Sequence, residues 1–254
     1  MQRQFQEMDG YLRAEVMLPT DLAPGSQYEI AFVTTDVTGA LSTNIADYNN
    51  FVTQEANQDS ILAGLGVSWN AVVSTATVNA NVNAPNDGSI PVYNTAGQLV
   101  ANAAIPLYSG SPLINLIDYT QTGAPNAYTT YGGLFHPVWT GTDATGTADP
   151  DYPMGATPIW AGGDPPPANM ISGVMAGDSR ESEYLAGPLG WLEGNPSTAY
   201  DSSWGPDPAE EYPLYALSSP ITVASVPEPA TLALLGSALL GLGVAYLRRR
   251  GTKA

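Results

Sequence analysis

The 254-residue sequence has no cysteine and a single histidine, His136. Without thiols there can be no disulfide, no zinc–thiolate site, no iron–sulfur cluster and no cysteine nucleophile. A Ser-His-Asp triad would have to use His136. Positive charge is equally scarce. There are 7 basic residues against 24 acidic ones, a formal charge of −17. Before Pro227 only Arg3, Arg13 and Arg180 are basic, against 23 acids, so the first 226 residues carry −20. Such a body cannot neutralise phosphates, which excludes a nucleic-acid partner. An anionic membrane surface would repel it as well. Charged residues make up only 12% of the chain and hydrophobic ones 44%, with 26 glycines and 22 prolines. That balance describes a turn-rich globular body with few helices.

The clearest positive signal stands at the C-terminal end. Residues 230–247 read ATLALLGSALLGLGVAYL, 18 residues without a charge. As a helix this stretch would span roughly 27 Å, close to the hydrocarbon thickness of a bilayer. Arg248, Arg249 and Arg250 follow at once. They are expected to stay cytoplasmic and stop transfer, leaving the acidic body on the far side. Directly before the span stand Pro227, Glu228 and Pro229.

Proline–acid–proline, an apolar span and a terminal basic cluster, in that order, closely resemble the PEP-CTERM sorting signal of Gram-negative bacteria. The resemblance covers residues 226–254. It implies a membrane-anchored precursor, recognition by an exosortase, removal of the tail and release to the cell surface or extracellular matrix. Members of that group typically accompany exopolysaccharide production. Pro227, Glu228 and Pro229 are then recognition residues of a substrate, with no catalytic role of their own. Export also needs a leader, yet MQRQFQEMDGYLRAEVMLP contains no apolar core. The expectation is that Met1 is a displaced start or that the sequence is a fragment, with residues 1–27 an N-terminal segment.

Along the body, Ala23-Pro24-Gly25-Ser26 is a turn signal. Tyr28 to Thr34 alternates and reads as a strand. Ser42 or Thr43 is placed to cap a helix starting near Asn44, with Ile45, Tyr48, Val52 and Leu62 on its apolar face and a stop at Gly64 or Gly66. Further strands are expected at Val67 to Val73 and at Ile90 to Tyr93, the latter with an edge-type proline. Others are expected at Val138 to Thr140 and at Tyr212 to Leu217, the last running on toward Val223. Between Gly141 and Glu211, glycine and proline make up 21 of 71 residues, against 27 of the other 183. This reads as one long irregular excursion before a final strand.

The order of strand, helix, Trp69-containing strand, Gly88–Asn94, Leu107–Ser111, Val138–Asp143 and a closing strand is similar to the endostatin-like branch of the C-type-lectin-like fold. The resemblance implies an α+β domain over residues 28–223, followed by the transmembrane helix at 230–247. The disulfides, arginine surface, zinc histidines and calcium–sugar motifs of that fold have no counterparts, so no activity comes with it. Leu22 to Tyr28 also looks like a fibronectin type III strand, but the helical stretch that follows does not fit that sandwich.

No residue earns a catalytic or metal role from the sequence. His136 could be a general base, but it lacks a nucleophile motif and reads as a packing or hydrogen-bonding residue. Asn79 to Gly88 fails the spacing of a calcium loop. Asp143, Asp149 and Asp151 read as a solvated turn. Glu181 with Glu183, or Glu210 with Glu211, would be the carboxylate pair of the alternative function, a glycoside hydrolase acting on the matrix. Tyr119, Tyr128, Tyr131 and Tyr200 lie in or near the irregular segments. Trp160 and Trp191 are the candidate sugar contacts, since each is flanked by Gly or Pro turns that would present a ring. The expectation is therefore a non-enzymatic exported protein without a cofactor, with an exosortase and an extracellular polysaccharide as its candidate partners.

Overall fold

A computed structural model describes residues 15–127, 138–150, 153–155, 175–176 and 211–224. The chain divides into two units, Met1–Asp21 with Gln27–Ile221, and Leu22–Ser26 with Thr222–Ala254. The elements in order are β1 (Gln27–Val33), α1 (Ile45–Ala56), α2 (Ser60–Gly64), β2 (Trp69–Ala71), α3 (Ala80–Asn83), β3 (Val92–Asn94), β4 (Leu99–Ala101), β5 (Val138–Trp139), β6 (Met175–Ala176), β7 (Tyr215–Ser218) and β8 (Ile221–Thr222). The architecture is a mixed, sheet-rich α+β fold, as the sequence predicts at that level.

The main sheet runs in the order β2-β7-β1-β3-β4. β1 is its centre. It pairs in parallel with β3, Ile30 opposite Tyr93, and antiparallel with β7, Phe32 opposite Ala216. Both faces of β1 are covered, so every residue after Gln27 is buried. Ala31 and Val33 join Val72, Val92, Val100, Leu107 and Leu217 in one core cluster. On the opposite face Ile30 and Phe32 are fully buried, and the Phe32 ring meets Trp69 edge-on at 5.1 Å. A β-branched and aromatic strand can bury both faces at low cost because it carries little polar side-chain surface. The exception is Glu29, discussed below.

α1 begins where the sequence places it. Asn44, and not the expected Ser42 or Thr43, is the cap, its Oδ1 accepting from Ala46 N, while Ser42 Oγ accepts from Asn44 N at 3.0 Å. Tyr48, Val52, Glu55 and Ala56 form its buried face. The single helix expected to reach Leu62 is in fact two. Asp59 interrupts it, because its Oδ1 accepts from Ile61 N and Leu62 N and so starts α2 with a fresh cap.

Several strand expectations also need correction. β2 is only three residues long, shorter than Val67–Val73. β3 lies inside the sheet between β1 and β4, so Pro91 does not mark an edge. Pro91 can stand there because it precedes β3 and contributes only its carbonyl, to Glu29 N at 2.9 Å. The run from Tyr212 to Val223 is two strands, β7 and β8, separated by Ser219-Pro220. The excursion after Gly141 is not wholly irregular. β6 lies within it and pairs with β5, Trp139 opposite Met175, and Met154 N donates to Ser74 O at 2.8 Å.

In the second unit, described at 22–26 and 222–224, Pro24-Gly25 forms the expected turn with Gly25 at φ 82°. Gly25 N donates to Val223 O and Val223 N to Ser26 O, at 2.9 and 2.8 Å. Among the described residues no helix is long and apolar enough to cross a membrane. The span expected at 230–247 lies outside them.

Candidate functional site

Among the described residues two glutamates are buried, and sequence periodicity identified neither. Glu29 projects from β1 on the face of Ala31 and Val33, and its residue is 2% exposed. Its Oε2 accepts from Asn86 Nδ2 at 2.6 Å, and the same nitrogen donates to Ile90 O at 2.9 Å. Burial pushes the Glu29 carboxyl from the usual 4.5 up to about 7; the Asn86 bond pulls it down, and the nearby Asp87 charge pushes it further up. The Tyr108 phenol is likewise raised by burial and by Glu29, and donates to Ala84 O at 2.6 Å. The carboxyl therefore ties the chain at Asn86–Ile90 to the central strand.

Glu55 anchors a second polar network beneath the junction of α1 and α2. Its Oε2 accepts from Asp36 N at 3.0 Å and from Gln121 Nε2 at 2.8 Å, and its Oε1 accepts from Gln58 Nε2. Gln121 is fully buried, and its Oε1 accepts from Thr35 N and Thr35 Oγ1. Burial raises the Glu55 carboxyl, and the hydrogen bonds only partly offset this. The network joins α1 to the segment after β1 and to the turn at residue 121 without any external group.

The acidic turn at Asp143 is stapled by its own side chain. Asp143 Oδ1 accepts from Thr145 N at 2.8 Å, Thr145 Oγ1 at 2.8 Å and Thr147 N at 2.9 Å, and Oδ2 accepts from Thr147 Oγ1. Burial alone would raise this carboxyl, but the Thr147 and Thr145 bonds outweigh it and hold it below the usual value. The asparagine stretch starts the short helix α3 after Asn79 rather than a cation loop. Asp87 instead accepts from Ser89 N at 2.8 Å. Among the described residues no three His, Cys, Asp or Glu side chains gather around a point where a metal ion would sit.

Of the residues singled out in the sequence, Tyr119 is half-buried and bonds its carbonyl to Val33 N at 3.0 Å, which makes it part of the body. Glu211 is exposed. Trp160, Trp191, His136, Asp151, Tyr128, Tyr131, Tyr200, Glu181, Glu183 and Glu210 lie outside the described residues. So do Pro227, Glu228, Pro229, Arg248, Arg249 and Arg250.

Comparison with known families finds the PEP-CTERM protein-sorting motif at residues 225–250. Pro227 to Pro229, the apolar stretch and the three arginines all fall within the matched residues. No curated protein matches the chain. The motif marks the chain as an exosortase-targeted exported protein, and it is consistent with a membrane-anchored precursor delivered to the cell surface.

Proposed function

We propose that the chain is the precursor of a non-enzymatic surface or extracellular-matrix protein, associated with exopolysaccharide and sorted through its tail. The observation that carries this reading is the sorting motif at 225–250, which follows the last described strand of the body almost immediately in the sequence. On this reading Pro227, Glu228 and Pro229 are read by the exosortase, and Arg248–Arg250 hold the precursor in the membrane until cleavage.

The proposed fold of the body is C-type-lectin-like. Its support is the helix pair that follows β1 and the antiparallel pairing of β1 with β7 near the end of the body. The non-enzymatic part of the reading is supported by how the buried carboxyls are engaged. Glu29, with a carboxyl near 7, has the raised value that the acid of a glycoside hydrolase needs, although the pair expected for that alternative is Glu181 with Glu183 or Glu210 with Glu211. Glu29 lies 2% exposed against Asn86 and the inner face of β1, out of reach of a polysaccharide. Trp160 and Trp191 remain the proposed ring contacts to sugar.

Mass spectrometry of the surface fraction from an exosortase-positive host tests the sorting reading. Most molecules should end after Pro229, and replacing Pro227 and Glu228 should leave the intact chain in the membrane. An intact Ala254 on most wild-type molecules would refute processing.

A further inference from the structure

The chain has no cysteine and, before Pro227, no lysine, so neither a disulfide nor a lysine isopeptide bond can cross-link the body. A hydroxyl set against a carboxamide is another route to a cross-link, and the Glu55 network contains such a pair. We propose that Thr35 and Gln121 form an autocatalytic intramolecular ester, with loss of ammonia, which ties the segment after β1 covalently to the turn at residue 121. The two residues stand 86 positions apart, so the bond closes a long loop through the central strand, as a disulfide would.

The carboxamide is held still from every side. Gln121 is fully buried. Its Oε1 accepts from Thr35 N at 3.0 Å and from Thr35 Oγ1 at 3.1 Å. Its Nε2 donates to Glu55 Oε2 at 2.8 Å and to Gln58 Oε1 at 3.1 Å. Cδ lies one C=O bond, about 1.23 Å, from Oε1, so Thr35 Oγ1 is no farther than about 4.3 Å from that carbon. A small turn about the Thr35 Cα–Cβ bond brings an oxygen lone pair onto Cδ.

Both ends of the amide have the groups that acyl transfer needs. The Thr35 N–H is aimed at Oε1, where negative charge develops as Cδ becomes tetrahedral. Glu55 touches the leaving nitrogen, and burial raises its carboxyl, which suits it to carry a proton there. The step balances. Thr35 Oγ1 attacks Cδ and loses its proton to water, to which Thr35 is exposed, while the C=O electron pair moves onto Oε1. When that pair returns, the Cδ–Nε2 bond breaks. Nε2 takes a proton from the Glu55 carboxyl and leaves as ammonia, and Glu55 regains a proton from water. Hydroxyl and carboxamide have become ester and ammonia, with no oxidant or cofactor. The exposed side of Thr35 lets ammonia out, and the buried Gln121 carbonyl keeps water from hydrolysing the ester.

The inference is independent of the sorting reading, because it is read in peptides of the body and not at the tail. The experiment is mass spectrometry of the purified full-length chain after incubation at neutral pH, with tandem sequencing of its peptides. The wild type should be lighter than its sequence by one ammonia. The peptide holding Thr35 should be joined to the one holding Gln121, and hydroxylamine should separate them. Thr35→Val keeps the backbone donor but lacks the nucleophile, so the link should be absent; Thr35→Ser should restore it. Glu55→Gln should slow its formation by roughly a hundredfold or more. Thr35 is exposed, so its two variants should fold, and they decide the proposal even if Glu55→Gln unfolds. The proposal is overturned if the wild type keeps its full sequence mass, if the ammonia is lost only at other residues, or if Thr35→Val loses it equally. A folded Glu55→Gln that links as fast as the wild type would remove Glu55 from the step.

Discussion

Asn49 on α1 and Asn83 on α3, 34 positions apart, exchange side-chain amide hydrogen bonds in both directions, each at 2.8 Å. The pair also clasps Ala71. Asn49 Oδ1 accepts from Ala71 N at 2.9 Å, and Asn83 Nδ2 donates to Ala71 O at 2.7 Å. Ala71 belongs to β2, an edge of the main sheet. The two amides thus stand in for a missing neighbour strand and close an edge that would otherwise be open to another chain. The opposite edge is covered similarly: Ile114 N and Asn115 Nδ2 donate to the carbonyls of Val100 and Leu99.

Asn83→Ala should destabilise the fold by about 1–3 kcal/mol, because it leaves the Ala71 carbonyl and the Asn49 amide without their partner. Asn49→Ala should cost a similar amount. The double variant should cost clearly less than the sum, since each change removes the same clasp. Urea unfolding of the four proteins measures this; additive losses would show that the amides act independently.

Stability should fall as pH rises through the range set by Glu29. Its folded carboxyl is raised from 4.5 to about 7. The unfolded chain therefore ionises first, and stability that is full below about pH 4.5 declines until about pH 7, then levels. After allowance for solvent screening the decline is on the order of 1–3 kcal/mol. Glu29→Gln should remove this part of the slope and be more stable than wild type at pH 8. Melting curves from pH 4 to pH 8 on both proteins check it; an unchanged slope in the variant would assign the effect to other groups.

Two glycines with positive φ should respond differently to alanine. At Gly25 the left-handed backbone is strained for alanine but the space is open, so the cost should be about 1–2 kcal/mol. At Gly141 a Cβ would also meet Met154 N at 2.5 Å and Ser74 O at 2.6 Å. Backbone there has to move, so Gly141→Ala should cost more than Gly25→Ala by at least about 2 kcal/mol. Equal losses in denaturant melts would refute the close approach.

Replacing Trp160 and Trp191 together with alanine should weaken retention in an extracellular polysaccharide matrix without unfolding the body. Retention should depend only weakly on salt, because a chain body of −20 meets acidic sugar with few opposite charges. Co-sedimentation with the matrix at two salt concentrations gives the answer. Unchanged retention by a folded double variant would end the ring-contact reading, and an unfolded one would make the two rings core residues.

Signals carried by neighbouring residues were legible in the sequence. Asn44 sits beside the two capping candidates and starts a helix within one residue of the expected place. Pro24-Gly25 turns, and Tyr28 to Val33 is the strand on which the sheet is built. The break at Asp59 was missed because Ile61 and Leu62 continue the apolar spacing across it, while a cap looks like any other surface acid. β4 was missed because Leu99-Val100-Ala101 is too short to show a period, and only its pairing with β3 makes it a strand.

What the sequence determined by itself is therefore what needs no folded partner: the acidic body without cysteine, the turn at Pro24-Gly25 and the start of α1, and the sorting motif, whose proline–acid–proline, apolar stretch and arginines are arranged linearly. The tertiary structure alone decided which polar residues lie inside. Glu29 is buried because β1 is central and has strands on both sides. Glu55 is buried because Gln121, 66 positions away, comes to meet it. Asn49 and Asn83 become an edge clasp only when α1 and α3 reach the same strand. Burial and pairing of this kind depend on strand order and register, which bring distant residues to hydrogen-bond distance and remove the water that would otherwise have served them.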